Sequence, residues 1–342
     1  MKKNPIIIGI ESSCDETAVS IIKCNNILSN VIIHQNIHKN YGGVVPELAA
    51  KMHEKNLSIA VEKSFLLANI KKTQLDAVSF TIGPGLIASL LVGCSFSKSL
   101  ALGLNIPIIT VDHIKAHILV HFIKNANINN CEPQFPFLAL VISGGHTQII
   151  QVNDYFNMKI LGSTLDNAVG EVLDKIAIKF GFNYPGGSTI DMFSKYGNSQ
   201  KFKFPIPSVK DLNFSFSGIK SYINKFVDCR SINNPLFIKK NIFDLCASIQ
   251  KLITNILLNK MNMAVMKTNI CRIVLAGGVS ANNMIRNEFI SFCKKNKWEL
   301  FIPKKKLSTD NGAMIAINGL FKYREKIFDS INVSPYSKFR KF

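Results

Sequence analysis

Pro5-Ile-Ile-Ile-Gly-Ile10 runs through Glu11-Ser-Ser-Cys-Asp-Glu-Thr17 into Ala18-Val-Ser-Ile-Ile22, and the same grammar returns far along the chain. There Phe137-Leu-Ala-Leu-Val-Ile142 runs through Ser143-Gly-Gly-His-Thr147 into Gln148-Ile-Ile-Gln-Val152. Each stretch reads as an apolar strand, a turn of small polar residues and a second strand, which is a β-hairpin. Turns rich in hydroxyls and backbone N–H groups are suited to cradling phosphate. A second pair follows each hairpin in the same order. Ala77-Val-Ser-Phe-Thr-Ile82 enters Gly83-Pro-Gly85 and an apolar helix, and Ile273-Val-Leu-Ala276 enters Gly277-Gly-Val-Ser-Ala-Asn282 and another helical stretch. A strand, a glycine turn and a helix N-terminus make an anion or nucleotide platform, here on Gly277 and Gly278. One glycine turn alone is often just a tight connection. The ordered repetition of both pairs is harder to dismiss.

The repeat implies two homologous α/β halves facing a shared cleft. That is the actin-like (ASKHA) arrangement of sugar kinases, actins and chaperone ATPases, with duplicated ribonuclease-H-like subdomains around a central nucleotide and metal cleft. The expected organisation is an N-terminal subdomain over 1–130, a C-terminal subdomain over 131–325 and a basic tail over 326–342 that docks back. Helical connectors are expected over Pro46–Asn69 and Asn241–Lys267, and an insertion over about 165–235 is expected to carry substrate specificity. The 342 residues suffice for two cores.

Composition narrows the partners. With 47 % hydrophobic and 18 % charged residues the chain is globular, not disordered. The formal net charge of +19 favours polyanions, nucleic acid first, although a chain this rich in Lys, Asn and Ile can also carry merely solvated lysines. Glu11 cuts the first apolar run too short for a signal peptide. Leu86–Leu104 is interrupted by serines and Lys98, and a buried amphipathic helix explains it better than a membrane span. The eight cysteines contain no C-x-x-C pair and read as reduced, mostly buried thiols of a cytoplasmic protein without membrane partners.

Several side-chain groups carry candidate chemistry. His113 and His117, spaced i and i+4, project from one face of a helix and could chelate zinc or iron. His34/His38 and His117/His121 share that spacing, so core or surface histidines are the alternative. Ile114 stands where a zincin protease needs glutamate, which argues against peptidase chemistry. Asp310, in Ser308-Thr-Asp-Asn-Gly312, could be a third ligand or a plain helix N-cap. Leu165–Lys175 reads as a helix with Asp166, Gly170, Glu171 and Asp174 on one stripe, either solvated or binding ribose hydroxyls. Gly170 in its interior costs about 1 kcal/mol against alanine, which hints at a close approach. Asp15 and Glu16 could hold magnesium, position a nucleophile or cap their turn.

Together these segments resemble a known family, the tRNA N6-adenosine threonylcarbamoyltransferases (TsaD in bacteria). The resemblance rests on Gly9-Ile-Glu-Ser-Ser-Cys-Asp-Glu-Thr17, Tyr41-Gly-Gly-Val-Val-Pro-Glu-Leu-Ala49, Gly83-Pro-Gly-Leu86 and His113-Ile-Lys-Ala-His117. It continues through Ser143–Thr147, Gly170–Lys175, Tyr184-Pro-Gly-Gly187, Phe214-Ser-Phe-Ser-Gly218, Ala276–Asn282 and Thr309–Met314, in family order over nearly the whole chain. It implies transfer of a threonylcarbamoyl group from threonylcarbamoyl-AMP to N6 of the adenosine beside the anticodon, in tRNAs reading codons that begin with A. It implies one metal ion, iron with zinc as the other candidate, on His113, His117 and Asp310. It implies acyl-adenylate binding by Val141, Ile142, Ser143, Gly144 and Gly145, with Asp174, Gly187, Asp191 and Asn282 completing the site. Asp15 or Glu16 is the candidate base.

The family also works with a smaller actin-like paralogue and a P-loop ATPase, and this chain has no G-x-x-x-x-G-K-[ST] of its own. It departs from the family pattern at Lys115, where glutamate is usual between the metal histidines. Lys304, Lys305, Lys306, Lys338, Arg340 and Lys341 are the candidate tRNA contacts. The competing readings are a kinase or carbamoyltransferase acting on a small molecule, and a non-catalytic ATP-binding scaffold that needs neither histidine.

Overall fold

A strand that is apolar at every position must be covered on both faces, and Ile6–Ile10 is such a strand. In the computed structural model, which describes residues 2–338, it forms β1 (Ile6–Glu11), paired antiparallel with β2 (Glu16–Lys23), which pairs antiparallel with β3 (Asn26–His34). Helix α1 (Pro46–Ala68) starts on a proline in its first turn, where the missing N–H costs nothing. Then come β4 (Ala77–Gly83), α2 (Ile87–Leu104), β5 (Ile108–Asp112) and the short α3 (His113–Leu119). The sheet order is β3-β2-β1-β4-β5, with β4 parallel to β1 and β5 parallel to β4. Ile6, Ile8 and Ile10 meet Leu57, Ala60, Val61 and Phe65 of α1 and Cys94 and Ala101 of α2. Each fully buried side chain of this size contributes about 1.5–3 kcal/mol.

The second sheet repeats the first. Strands β6 (Phe137–Ile142), β7 (Thr147–Val152) and β8 (Met158–Ser163) are antiparallel neighbours. Helices α4 (Val169–Lys179), α5 (Gly187–Ser194), α6 (Ser217–Asn233) and α7 (Phe237–Thr268) follow. Strand β9 (Arg272–Ala276), helix α8 (Asn283–Asn296) and strand β10 (Glu299–Phe301) close the unit. The order β8-β7-β6-β9-β10, with β9 parallel to β6 and β10 parallel to β9, matches the first sheet strand for strand. Leu138, Leu140 and Ile142 face a core built with Val172, Ile176, Ile249, Ile253 and Phe289.

The last helix, α9 (Gly312–Arg324), corrects the expected boundary at 325. By contacts the chain divides into one unit of 1–133 with 303–342 and another of 134–302. Helix α9 lies on β1, β2 and β4, with Ser79 Oγ donating to Ile315 O at 3.3 Å. It is buried along almost its whole length, so it needs an apolar sheet face, and the face β1 turns away from α1 and α2 supplies one. Beyond it the chain stays on the same unit: Asp329 N donates to Ile108 O at 3.1 Å and Tyr336 Oη to Asp112 Oδ2 at 2.8 Å. The expected tRNA contacts Arg340 and Lys341 lie outside the described residues.

Two further expectations change. Helix α2 is the one helix among the described residues long and apolar enough to cross a membrane. It is not wholly buried: Leu90, Gly93, Cys94 and Ala101 face inward, while Ile87, Leu91 and Leu102 are exposed. Of the eight cysteines, Cys94, Cys246 and Cys293 are buried but Cys131, Cys229 and Cys271 are exposed, so burial accounts for fewer of them than expected.

Candidate functional site

In the first unit, β5 delivers Asp112 to the start of α3. One of its carboxylate oxygens accepts from Ile114 N (2.9 Å) and Lys115 N (3.0 Å), an aspartate N-cap. The cap fixes His113 at the first helical position and His117 one turn on, with ring centroids 4.7 Å apart and planes at 82°. Asp310 arrives from the loop before α9. It is not that helix's cap, because Asn311 Oδ1 accepts from Met314 N at 3.0 Å and takes the role. Asp310 Oδ1 lies 3.0 Å from His117 Nε2 and 3.7 Å from His113 Nε2. Ligand atoms of the three residues fall within 4.8 Å of one another. Lys115, half-buried, is two residues from each histidine, about 200° around the helix.

The donor set fits a divalent metal ion. His117 is 1 % exposed, and neither ring nitrogen makes a hydrogen bond of good geometry. Buried polar atoms without partners are costly, and two imidazoles with a carboxylate suit zinc or iron. The other i, i+4 histidines are accounted for otherwise: His34 meets Glu16 at 3.1 Å, His38 meets Gln35 at 2.9 Å, and His121 bonds Asn127.

Around the trio the first hairpin turn gathers negative charge. Glu11, fully buried at the end of β1, accepts from Thr81 Oγ1 (2.6 Å) and Ser13 N (2.5 Å) and lies 3.1 Å from His113 Nδ1. Burial opposes a charged His113, but the carboxylates of Glu11 and Asp310 outweigh it and hold its pKa up at about 9. Burial likewise raises Glu11, and the charge of His113 draws it back below the usual carboxylate value. Burial, then Asp310, Asp15 and Glu11, push Glu16 to about 9. Burial, then Asp15, Asp310 and Glu16, push the Cys14 thiol up. His53 of α1 pins the turn: its Nε2 lies 2.9 Å from Cys14 O and its Nδ1 2.8 Å from Thr17 Oγ1. A carbonyl only accepts, so Nε2 carries the proton and Thr17 donates to Nδ1 of the neutral ring. Burial favours that neutral form by lowering the His53 pKa. The sequence reading missed Glu11 and His53. The available signal for Glu11 was a carboxylate directly ending an apolar strand.

The second unit carries the expected nucleotide residues. Val141 and Ile142 are buried in β6, Ser143 is half-buried, and Gly144 and Gly145 form the exposed side of the turn. Ser143 Oγ accepts from His146 N (3.0 Å), and Ser143 O accepts from Gly170 N (3.2 Å) at the start of α4. The close approach at Gly170 is this turn: a Cβ there would lie 2.7 Å from Ser143 O. Gly277 takes φ +85°, with Ile142 O 2.5 Å from where its Cβ would sit, so glycine is required on both counts. Gly278 opens the short turn that leads to Asn282.

The acidic residues do not form the expected stripe. Helix α4 begins only at Val169, leaving Asp166 outside it. Asp166 accepts from Phe216 N (2.8 Å), Ser215 Oγ (2.6 Å) and Ser217 Oγ (2.6 Å) at the start of α6. Desolvation would raise its pKa, but the Ser215 and Ser217 hydroxyls and these backbone donors bring it down to about 2. Asp174 accepts from Gly186 N (2.8 Å) and Gly187 N (2.9 Å) at the start of α5. Asp191 accepts from Asn283 N (3.0 Å) and Met284 N (3.3 Å) at the start of α8, and from Gln250 Nε2 (3.2 Å) of α7. Asn282 caps that same helix through Ile285 N (3.0 Å), and its Nδ2 donates to Gln250 Oε1 at 2.8 Å. Each aspartate thus satisfies the open N–H groups of a helix start distant in sequence.

Two like-ordered α/β units, one with a His-His-Asp trio whose two histidines are buried, define an actin-like α/β protein. HypF of T. kodakarensis shares this fold, with a TM-score of 0.61 at 14 % identity, covering 95 % of this chain and 48 % of that longer one. The chain belongs to the tRNA N6-adenosine threonylcarbamoyltransferase family, whose profile (TsaD) matches residues 26–317. It is 48 % identical to the tRNA N6-adenosine threonylcarbamoyltransferase of Christiangramia forsetii, over 98 % of both chains. It is 47 % identical to that of Riemerella anatipestifer, again over 98 % of both.

Proposed function

We propose that this chain is an acyltransferase that moves the threonylcarbamoyl group of threonylcarbamoyl-AMP onto N6 of the adenosine 3′ of the anticodon, in tRNAs reading codons that begin with A. Near-full-length identity to enzymes of that name is the observation that carries this reading. The carbamoyl–phosphate bond of the substrate is a mixed anhydride. Attack by N6 on the carbamoyl carbon forms the new N–C bond, the C–O bond to phosphate breaks, AMP leaves with the electron pair, and N6 gives up a proton. Asp15 on the first turn would take that proton; Glu16, the other candidate, could do so only where a bound cation offsets the burial and neighbouring carboxylates that keep it protonated. An exocyclic amine is a weak nucleophile, so holding it against the carbonyl supplies much of the rate.

The Val141–Gly145 turn would hold the acyl-adenylate. Gly144 and Gly145 are exposed, and a Cβ at either would meet nothing within 4 Å, which leaves room for a substrate to approach the backbone. Backbone donors there would stabilise charge developing on the acyl oxygen. Asp174, Gly187, Asp191 and Asn282 would form the nucleoside side, with the three polar side chains also holding helix starts in place. His113, His117 and Asp310 would hold one metal ion, iron or alternatively zinc, acting as a Lewis acid amid the surrounding carboxylates.

The +19 charge suits tRNA, and Lys305 and Lys306 are exposed for such contact. A smaller actin-like paralogue and a P-loop ATPase would be the working partners, in the cytoplasm. The test is transfer of radiolabelled threonine from synthetic threonylcarbamoyl-AMP to unmodified tRNA, before and after chelation. Label on the adenosine beside the anticodon, lost on chelation, is expected. Absence of label even with both partner proteins added would overturn the reading.

A further inference from the structure

We infer that Glu11 is a positioning residue for the metal trio: it keeps the proton of His113 on Nδ1 so that Nε2 is the nitrogen offered to the ion. The inference rests on the reading of His113, His117 and Asp310 as metal ligands. Glu11 is 0 % exposed, and its two oxygens are fully engaged. Oε1 accepts from Ser13 N at 2.5 Å, while Oε2 accepts from Thr81 Oγ1 at 2.6 Å and lies 3.1 Å from His113 Nδ1. An ionised carboxylate only accepts, so Nδ1 must be the donor. Ser13 Oγ, 3.2 Å from the same nitrogen, adds a second partner on that side of the ring. The opposite nitrogen, Nε2, then presents its lone pair where Asp310 Oδ1 stands 3.7 Å away. Buried carboxylates that accept from the outer nitrogen of a ligating histidine fix its tautomer and ring orientation.

The geometry makes glutamine a sharp test, because an amide has a single acceptor oxygen. With that oxygen toward His113, the NH2 group opposes Ser13 N–H, donor against donor. With NH2 toward His113, Nδ1 has to accept, and the ring proton moves to Nε2, the ligand nitrogen.

Zn2+ serves as the probe, its affinity read on the full chain by competition with a chromophoric chelator. Glu11→Gln is expected to weaken Zn2+ binding by about 10–100-fold. The hydrogen-bonded Nδ1–H resonance of His113, visible in the Zn2+-loaded, 15N-histidine-labelled parent, should shift or disappear. A merely structural role would leave that resonance in place. Thr81→Val frees one side of the carboxylate without removing its charge. It is expected to weaken Zn2+ binding by a smaller factor, and it carries the test if circular dichroism shows Glu11→Gln unfolded. A folded Glu11→Gln chain with Zn2+ affinity and the Nδ1–H resonance both unchanged would overturn the inference, and the same pair of results decides for Thr81→Val. His117→Ala separates the two claims. If it binds Zn2+ as the parent does, the metal reading falls; if it loses Zn2+ while Glu11→Gln binds normally, only the role of Glu11 falls.

Discussion

Replacing Asp191 with alanine strips the N-terminus of α8 of its carboxylate. Asn283 N and Met284 N, the first two amides of that helix, then lack an acceptor, and Gln250 Nε2 loses a contact at 3.2 Å. Asn282 still holds Ile285 N, so the helix start is half undone and not abolished. A hydrogen bond to a charged group is worth about 1.5–3 kcal/mol, and the favourable charge at a helix N-terminus adds about 0.3–1 kcal/mol. Alanine returns roughly 0.5 kcal/mol through its better helix propensity in α5, and water can reach the half-buried amides. The net loss should be about 1–3 kcal/mol. With a slope of about 2 kcal/mol per M urea, the unfolding midpoint of this unit should fall by about 0.5–1.5 M. Asp191→Asn keeps an acceptor oxygen and should lie between parent and alanine. The assay is urea unfolding followed by circular dichroism, beside titration with a non-hydrolysable acyl-adenylate analogue. An alanine variant with the parent's midpoint but weakened analogue binding would refute the capping argument and leave Asp191 as a substrate contact only.

Three further outcomes are expected. His117→Ala should emerge from purification with far less bound metal, by elemental analysis, and transfer threonine about 100-fold more slowly or worse; full metal content in that variant would count against the trio. Gly170→Ala places a Cβ 2.7 Å from Ser143 O and must push the Ser143–Gly145 turn aside, so calorimetry should show acyl-adenylate analogue affinity falling by about tenfold, roughly 1.4 kcal/mol; unchanged affinity would show that the turn does not hold the substrate. The Asp166 carboxyl titrates at about 2 in the folded chain against an ordinary value of 3.8, so it binds protons more readily when unfolded. Its stabilisation is complete above about pH 4 and lost as pH falls through about 2. The gap in urea midpoint between parent and Asp166→Asn should therefore narrow between pH 5 and pH 3, and a gap that widens would contradict the sign.

Strand and hairpin placement was legible in the residues because period and apolarity are local. Phe137–Ile142 is a strand with the expected bounds, and both hairpins fold where the small polar turns interrupt apolar runs. The matched order of the two sheets follows from the repeated grammar. The His113/His117 pair was legible from its i, i+4 spacing, since helix geometry alone puts both on one face.

What the sequence could not determine were partnerships between residues far apart in the chain. Whether Asp310 or Asn311 capped α9 depended on which carboxyl or amide reached a helix amide, and only the fold turned Asp310 toward the histidines. Asp166, Asp174 and Asp191 look alike in sequence as acidic residues of one stretch, yet tertiary packing brings each to a different helix start and engages its oxygens there. The grouping of α9 with β1 had the same cause: an apolar helix goes to whichever sheet face lacks a cover, and chain order does not say which that is. Local pattern is set by side-chain periodicity. The burial of Glu11 against His113 is set by contacts spanning a hundred residues, and it exists only once the sheet has formed.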